Sequence, residues 1–228
     1  AKIPIYAVFC AAFFKKYQAL VMIGLYITGI VLGIIIALIL KNTAFRGKPV
    51  PFVMELPNYR LTSEKSVGLL LWDKAKDFIQ RAFTVIFFAT IIIWFLETFD
   101  AKLNVVKDSS DSLLALIGQA ISPIFKPLGF ADWRVTTSLI SGFTAKEAVV
   151  STMAVLMNTS TANLGTALSG AFSTLSALSF LVFTLLYTPC VAAVATIKRE
   201  LDSRIQTVGV VIMQCMVAWL CGCAVYQI

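Results

Sequence analysis

Residues 17–40 read YQALVMIGLYITGIVLGIIIALIL, an apolar run that contains no Asp, Glu, Lys or Arg. As a helix rising about 1.5 Å per residue, this run is about 36 Å long, enough to cross a hydrocarbon core of roughly 30 Å with some tilt. Lys15-Lys16 precedes it and Lys41 closes it. The rest of the chain has the same character. Hydrophobic residues make up 59% of it and charged residues 14%, with a mean hydropathy of +0.87, whereas soluble domains are about 25% charged. The apolar residues form continuous blocks and do not alternate with polar ones as in a barrel strand. The fold class expected is all-α: a polytopic helical membrane protein with about 5–6 membrane segments, including proline-broken helices.

Working outward, Ile3 to Phe14 is too short to span alone and reads as the end of an interrupted element. The polar segment from Lys41 to Arg81 is rich in Lys and Arg, which places it on the cytoplasmic side. Within it, Ser66 to Gln80 reads as an amphipathic interfacial helix, followed by a span from about Phe78 to Phe99. The loop Asp100 to Ser112 favours the outer side. Leu113 to Phe130 carries Pro123 and Pro127 and is either a kinked crossing or a re-entrant segment; the charge balance of the loops favours a crossing. Val135 to Met157, Ala171 to Ile197 and Ile205 to Ile228 read as the remaining spans, with an uncharged outer loop from Asn158 to Gly170. In domain terms the expectation is 1–40 as the end of an interrupted element and the transmembrane helix after it, 41–77 as a cytoplasmic connecting segment, and 78–228 as a transmembrane unit. The net charge of +7 sits in short loops beside spans, which fits membrane orientation and not a nucleic-acid surface.

Two stretches carry candidate chemistry. In Tyr187-Thr188-Pro189-Cys190, Pro189 has no N–H to give to the carbonyl of Leu185, so the helix opens beside a thiol. At membrane depth such an opening survives only against protein or a wet cavity. In Gly142-Phe143-Thr144-Ala145-Lys146-Glu147, a carboxylate falls near the middle of an expected span, where a charge costs at least a few kcal/mol. At helical spacing Thr136, Thr144, Ser151 and Asn158 lie near the face of Glu147. A thiolate, a carboxylate and freed carbonyls form a mixed soft and hard donor set suited to a borderline divalent ion such as Fe(II). Plainer readings stand beside these: Lys146 and Glu147 as structural polar contacts, and Pro189-Cys190 as a packed kink.

The five cysteines, with no histidine, form no secreted disulfide framework and are expected to be reduced. Cys221-Gly222-Cys223, Cys10 and Cys215 read as packing residues, as do the methionines. The chain carries no phosphate-binding glycine loop and no carboxylate pair in a polar pocket, so no enzyme activity and no bound cofactor are expected of it.

The stretches Pro51-Phe52-Val53-Met54-Glu55-Leu56-Pro57-Asn58-Tyr59-Arg60, Pro123 to Trp133, Gly142 to Glu147, and Tyr187-Thr188-Pro189-Cys190-Val191-Ala192 with Lys198-Arg199-Glu200 resemble, in that order, the membrane domain of the ferrous iron transport protein B (FeoB) family. The resemblance implies Fe(II) uptake across the bacterial inner membrane, coupled to an N-terminal GTP-binding domain. It also implies two gate-like repeats, each with a membrane-embedded cysteine. This chain would hold the second gate, with Cys190, Glu147, Thr188 and Ser151 along the path. Ala1 to Tyr6 would be the tail of the first gate, and the preceding GTP-binding domain would lie outside this chain. Glu55 and Arg60 become candidates for the contact that receives a signal from the nucleotide domain, against a plainer reading as a solvated turn between Pro51 and Pro57. The implied partners are Fe(II), the lipid bilayer, and the GTP-binding domain and first gate repeat, with a homo-oligomer left open and no nucleic acid. Two other functions stay open: a gate-type transporter of another cargo such as nucleosides, and a non-transport assembly or metal-sensing module.

Overall fold

In the computed structural model the described residues are 2–43, 63–106, 108–161, 163–187 and 190–227, with backbone only at 77, 78, 81, 82 and 85. Glu55, Arg60, Thr188 and Pro189 therefore lie outside the described residues. Those described are helical, and the only extended pairing among them is the single bridge between Phe99 and Val105.

Helix α1 (Ile3–Phe13) is short and is followed by α2 (Gln18–Asn42), the decisive apolar run. Most of α2 is exposed, and Leu25 is its one buried side chain. In a membrane protein such a surface faces lipid or another protein. Helix α3 (Glu64–Thr98) is a single 35-residue helix, where an interfacial helix and a separate span were expected. The stretch has no proline, and a change of hydropathy along a helix does not interrupt its hydrogen bonds. Ser63 caps its start by accepting the N–H of Ser66 at 3.3 Å. The helix runs straight through residue 77, the expected segment boundary.

Residues 113–128 form one arm of a broken span or re-entrant loop whose other arm is 133–141. Helix α4 (Leu113–Ile121) and a 3₁₀ segment (Ser122–Leu128) lead through Gly129 into α5 (Trp133–Ser141), and the two arms are bent by 107°. Gly129 has φ +81° and lies against the Tyr226 ring, a turn that a residue with a Cβ would strain. Asp132 caps α5 by accepting the N–H of Arg134 at 2.8 Å. At Gly118 a Cβ would collide with Thr137 Oγ1, so the glycine permits the close packing of α4 on α5.

The expected span from Val135 to Met157 is broken. Helix α5 ends at Ser141, residues 142–147 form turns, and α6 (Ala148–Leu156) begins anew. Helix α7 (Leu164–Ala171) occupies most of the expected outer loop. Helix α8 (Thr174–Leu186) starts with a reciprocal Ser173–Ser176 capping box, and α9 (Val191–Leu201) follows the interruption around Pro189. Helix α10 (Arg204–Gln227) packs along α8, where Ser179 Oγ donates to the carbonyl of Gly222 at 2.8 Å.

By length and composition α2, α10 and the α8–α9 pair each suffice to cross a membrane, and the bent α4–α5 pair makes a fourth span if it is counted as one. Helix α1 and the Ile86–Thr98 part of α3 are shorter apolar stretches. The chain is thus an all-α, multi-pass membrane protein. Its core is aromatic. Phe9 stacks on Phe180 at 4.7 Å, Phe130 meets Phe180 edge-on at 5.3 Å, and Phe183 stacks on Tyr187 at 5.4 Å. This run of rings holds Tyr187 at the end of α8, where the helix opens.

Candidate functional site: two facing helix breaks

The break at 142–147 meets the one between α8 and α9. The N–H of Val191, the first residue of α9, donates to the carbonyl of Phe143 at 3.0 Å. Helix starts leave N–H groups without intrahelical partners and irregular turns leave carbonyls without them, so each break supplies what the other lacks. Gly142 makes the approach possible, because a Cβ there would collide with Val149 and lie 3.1 Å from the Tyr187 hydroxyl. Lys146, buried in the first break, places Nζ 3.3 Å from the centroid of the Tyr187 ring in the second. That is cation–π geometry in a desolvated setting.

The carbonyl of Leu185, expected to be left open by Pro189, is satisfied by a group from the far end of the chain. Lys2 Nζ donates to it. The same device appears at the other proline-containing turn: in the 3₁₀ segment Pro127 cannot donate to the carbonyl of Ile124, and Trp219 Nε1 does so instead at 2.9 Å.

Beside the breaks lies an open cavity of about 760 Å³ whose lining includes Lys2, Lys146, Tyr187, Cys190, Gln214 and the glycine-bearing face of α2. Cys190 is half-buried, with extended backbone, and immediately precedes α9. The Tyr187 hydroxyl and Gln214 Oε1 are buried with no hydrogen-bond partner among the described residues, so both keep lone pairs for a guest.

The candidate residues are distributed unevenly. Cys190 lines this cavity, together with Lys146 and not with Glu147. Glu147 is exposed and stands at the start of α6. Ser151 lines a different cavity of about 270 Å³, with Glu97, Ser109, Ser112, Thr137 and Thr152. Thr188, Glu55 and Arg60 are outside the described residues. Among the described residues no group of three or more His, Cys, Asp or Glu gathers as a metal site. The five cysteines form no disulfide among the described residues.

Outside the spans, Asp100 accepts the backbone N–H of Asn104 at 3.0 Å and of Lys102 at 2.7 Å. These bonds, that from Asn104 foremost, hold its carboxyl below the usual value.

These features define a polytopic membrane protein of the discontinuous-helix kind, with polar backbone openings packed against one another inside an apolar bundle. A family model described as "Nucleoside recognition", the gate family, matches residues 79–204. A second, described as "Ferrous iron transport protein B C terminus", matches residues 22–74. The chain is similar to the "Fe(2+) transporter FeoB" of Staphylococcus aureus, with 35% identity over 100% of this chain and 34% of that protein. It is also similar to proteins of the same name from Methanocaldococcus jannaschii, with 36% identity over 88% of this chain and 31% of the relative, and from Campylobacter jejuni, with 34% identity over 96% and 38%. The chain spans about a third of the length of these curated relatives. No solved structure matches it. The chain belongs to the gate family and corresponds to the C-terminal membrane part of ferrous iron transport protein B.

Proposed function

We propose that this chain forms part of the Fe(II) translocation path of a GTPase-coupled transporter in the bacterial inner membrane. The observation that carries this reading is the Val191–Phe143 bond, which sets two helix openings face to face beside the Cys190 cavity. Discontinuous helices that pair at membrane depth are where transporters hold ions. Cys190 would offer a thiolate, with main-chain carbonyls and the hydroxyl of Thr188 as harder donors. Glu147 and Ser151 would serve the path on either side of the first break. Lys146 on the Tyr187 ring would close the passage, since a divalent cation cannot share the cavity with a lysine cation until that side chain moves. Glu55 and Arg60 would take the signal of the N-terminal GTP-binding domain of the parent protein. The relatives' name supports Fe(II) as cargo.

The test is anaerobic Fe(II) uptake by cells carrying the complete parent protein, comparing wild type with Cys190→Ser and Glu147→Gln at matched membrane levels. Loss of uptake in both variants is expected. Wild-type uptake in both removes these residues from the path.

The description of the gate family as "Nucleoside recognition" and a largely apolar cavity of about 760 Å³ favour a second reading, in which the cargo is a nucleoside. Saturable nucleoside binding by the same protein, with no response to Fe(II), would establish it.

A further inference from the structure

The cavity on the far side of the first break is not the one that holds Cys190. Its described lining carries six oxygen-bearing side chains, Glu97 at the end of α3, Ser109 and Ser112 of the loop before α4, Thr137 of α5, and Ser151 and Thr152 of α6, beside the apolar Val155 and Leu156 of α6. Ser141 backs this wall, with Oγ 3.0 Å from Thr152 Oγ1 and 3.5 Å from Glu97 Oε1. Two of the hydroxyl protons are already directed at protein. Thr137 Oγ1 donates to the carbonyl of Trp133 at 2.8 Å and Ser112 Oγ to that of Ser109 at 2.9 Å. Thr137 therefore turns lone pairs, not a proton, toward the cavity. Glu97 is the one charged side chain among the lining residues, and the adjoining loop adds Asp108 and Asp111 beside Ser109 and Ser112.

We propose that the Glu97 cavity is a loading site for a hydrated divalent cation, separated from the Cys190 cavity by the turn 142–147. The proposal rests on the transport reading given above. Hard oxygen donors with one carboxylate suit an ion that still carries water, whereas a thiol suits one that has lost it. The size agrees. Six waters at about 30 Å³ each occupy about 180 Å³, within the 270 Å³ available. The continuity agrees as well. Ser141, which touches Glu97 and Thr152, is followed directly by Gly142, and Phe143 bonds to the residue after Cys190. The turn 142–147 thus links the wall of the Glu97 cavity to the residue after Cys190.

The experiment uses the full-length parent protein without nucleotide, titrated with Mn(II) and read by electron paramagnetic resonance, alongside Fe(II) uptake in proteoliposomes. Mn(II) is the probe because it prefers oxygen donors. In Glu97→Gln, Mn(II) binding weakens at least about tenfold and the KM for Fe(II) rises with kcat near wild type; a Ser151→Ala, Thr152→Val double variant shifts both in the same direction. Cys190→Ser leaves Mn(II) binding unchanged. Glu97→Asp, which keeps the charge, retains part of the affinity and guards against a folding artefact. Unchanged Mn(II) affinity in Glu97→Gln overturns the loading site even when Cys190→Ser abolishes uptake. Absence of Fe(II) uptake by the wild-type protein sinks the transport reading instead, while the Mn(II) titration still decides the Glu97 site.

Discussion

Lys2 and Leu185 are joined across nearly the whole chain: the lysine Nζ donates to the backbone carbonyl that Pro189 leaves without a helical partner. A helix opening in an apolar bundle is tolerated only when its freed groups find donors, and here the donor is a long, flexible cation from the residue that precedes the first helix. Removing it in Lys2→Met strands a half-buried carbonyl, which costs roughly 1–3 kcal/mol. The full-length protein in detergent should melt several degrees lower. An unchanged melting temperature would show that another group satisfies Leu185.

Lys146 and Tyr187 couple the two breaks through the ring face. A double-mutant cycle with Lys146→Met and Tyr187→Leu, read by thermal unfolding, should return a coupling energy of about 1–2 kcal/mol, in the range of a desolvated cation–π pair. Additive effects would place the stabilisation of each side chain elsewhere.

The Val191–Phe143 bond can be removed without disturbing the helix that carries it. Proline is welcome at the first position of a helix, and Cys190 already has the extended backbone, φ −61° and ψ 162°, that a following proline requires. Val191→Pro should therefore keep α9 intact, lower stability by about 1 kcal/mol for the lost bond, and reduce Fe(II) uptake in the parent protein. Wild-type uptake in this variant would mean that the junction of the breaks is not needed for transport.

Gly118→Ala should force α4 from α5, because the new methyl group meets Thr137 Oγ1. Overpacking of this kind costs typically 1–3 kcal/mol, i.e. about that much loss on thermal unfolding. Adding Thr137→Ala should recover part of it. Failure of the second substitution to help would locate the strain in the backbone.

Asp100 supplies a pH dependence. Its folded-state pKa lies below the unfolded value of about 3.9. Its contribution is therefore complete above that value and is lost as pH falls through the folded-state pKa. Hydrogen exchange at the amides of Lys102 and Asn104, corrected for intrinsic rates, should lose protection on acidification in wild type. In Asp100→Asn the protection should be weaker throughout and should not follow pH.

The spans were legible because length and hydropathy decide them: the run at 17–40 is α2, and the short first stretch and the last long one are α1 and α10. The break between α8, ending at Leu186, and α9, starting at Val191, was legible from the donor that Pro189 lacks. The opening at 142–147 was not, because its six residues contain no proline and sit within an apolar run. That omission propagated to the site. Assigning Lys146 and Glu147 to faces by counting 100° per residue from Val135 holds only while the helix continues. Once it stops at Ser141 the phase is reset, and the buried cation is Lys146, while Glu147 is exposed. Glu97 escaped notice because, at the end of an apolar helix, it reads as an ordinary boundary charge. Only the fold brings it beside the hydroxyls of α5 and α6.

Helix α3 has a mechanical consequence. Its 35 residues, at about 1.5 Å each, make a strut of about 52 Å, longer than a bilayer core is thick. No proline interrupts it to absorb a bend. One end leaves the segment that contains Glu55 and Arg60, and the other carries Glu97. A tilt of about 5° pivoted at one end sweeps the opposite end through about 4–5 Å, nearly the rise of a helical turn. Leverage of that size would let a small push on the connecting segment reposition a carboxylate at the opposite end of the helix without any change of helical structure along the way.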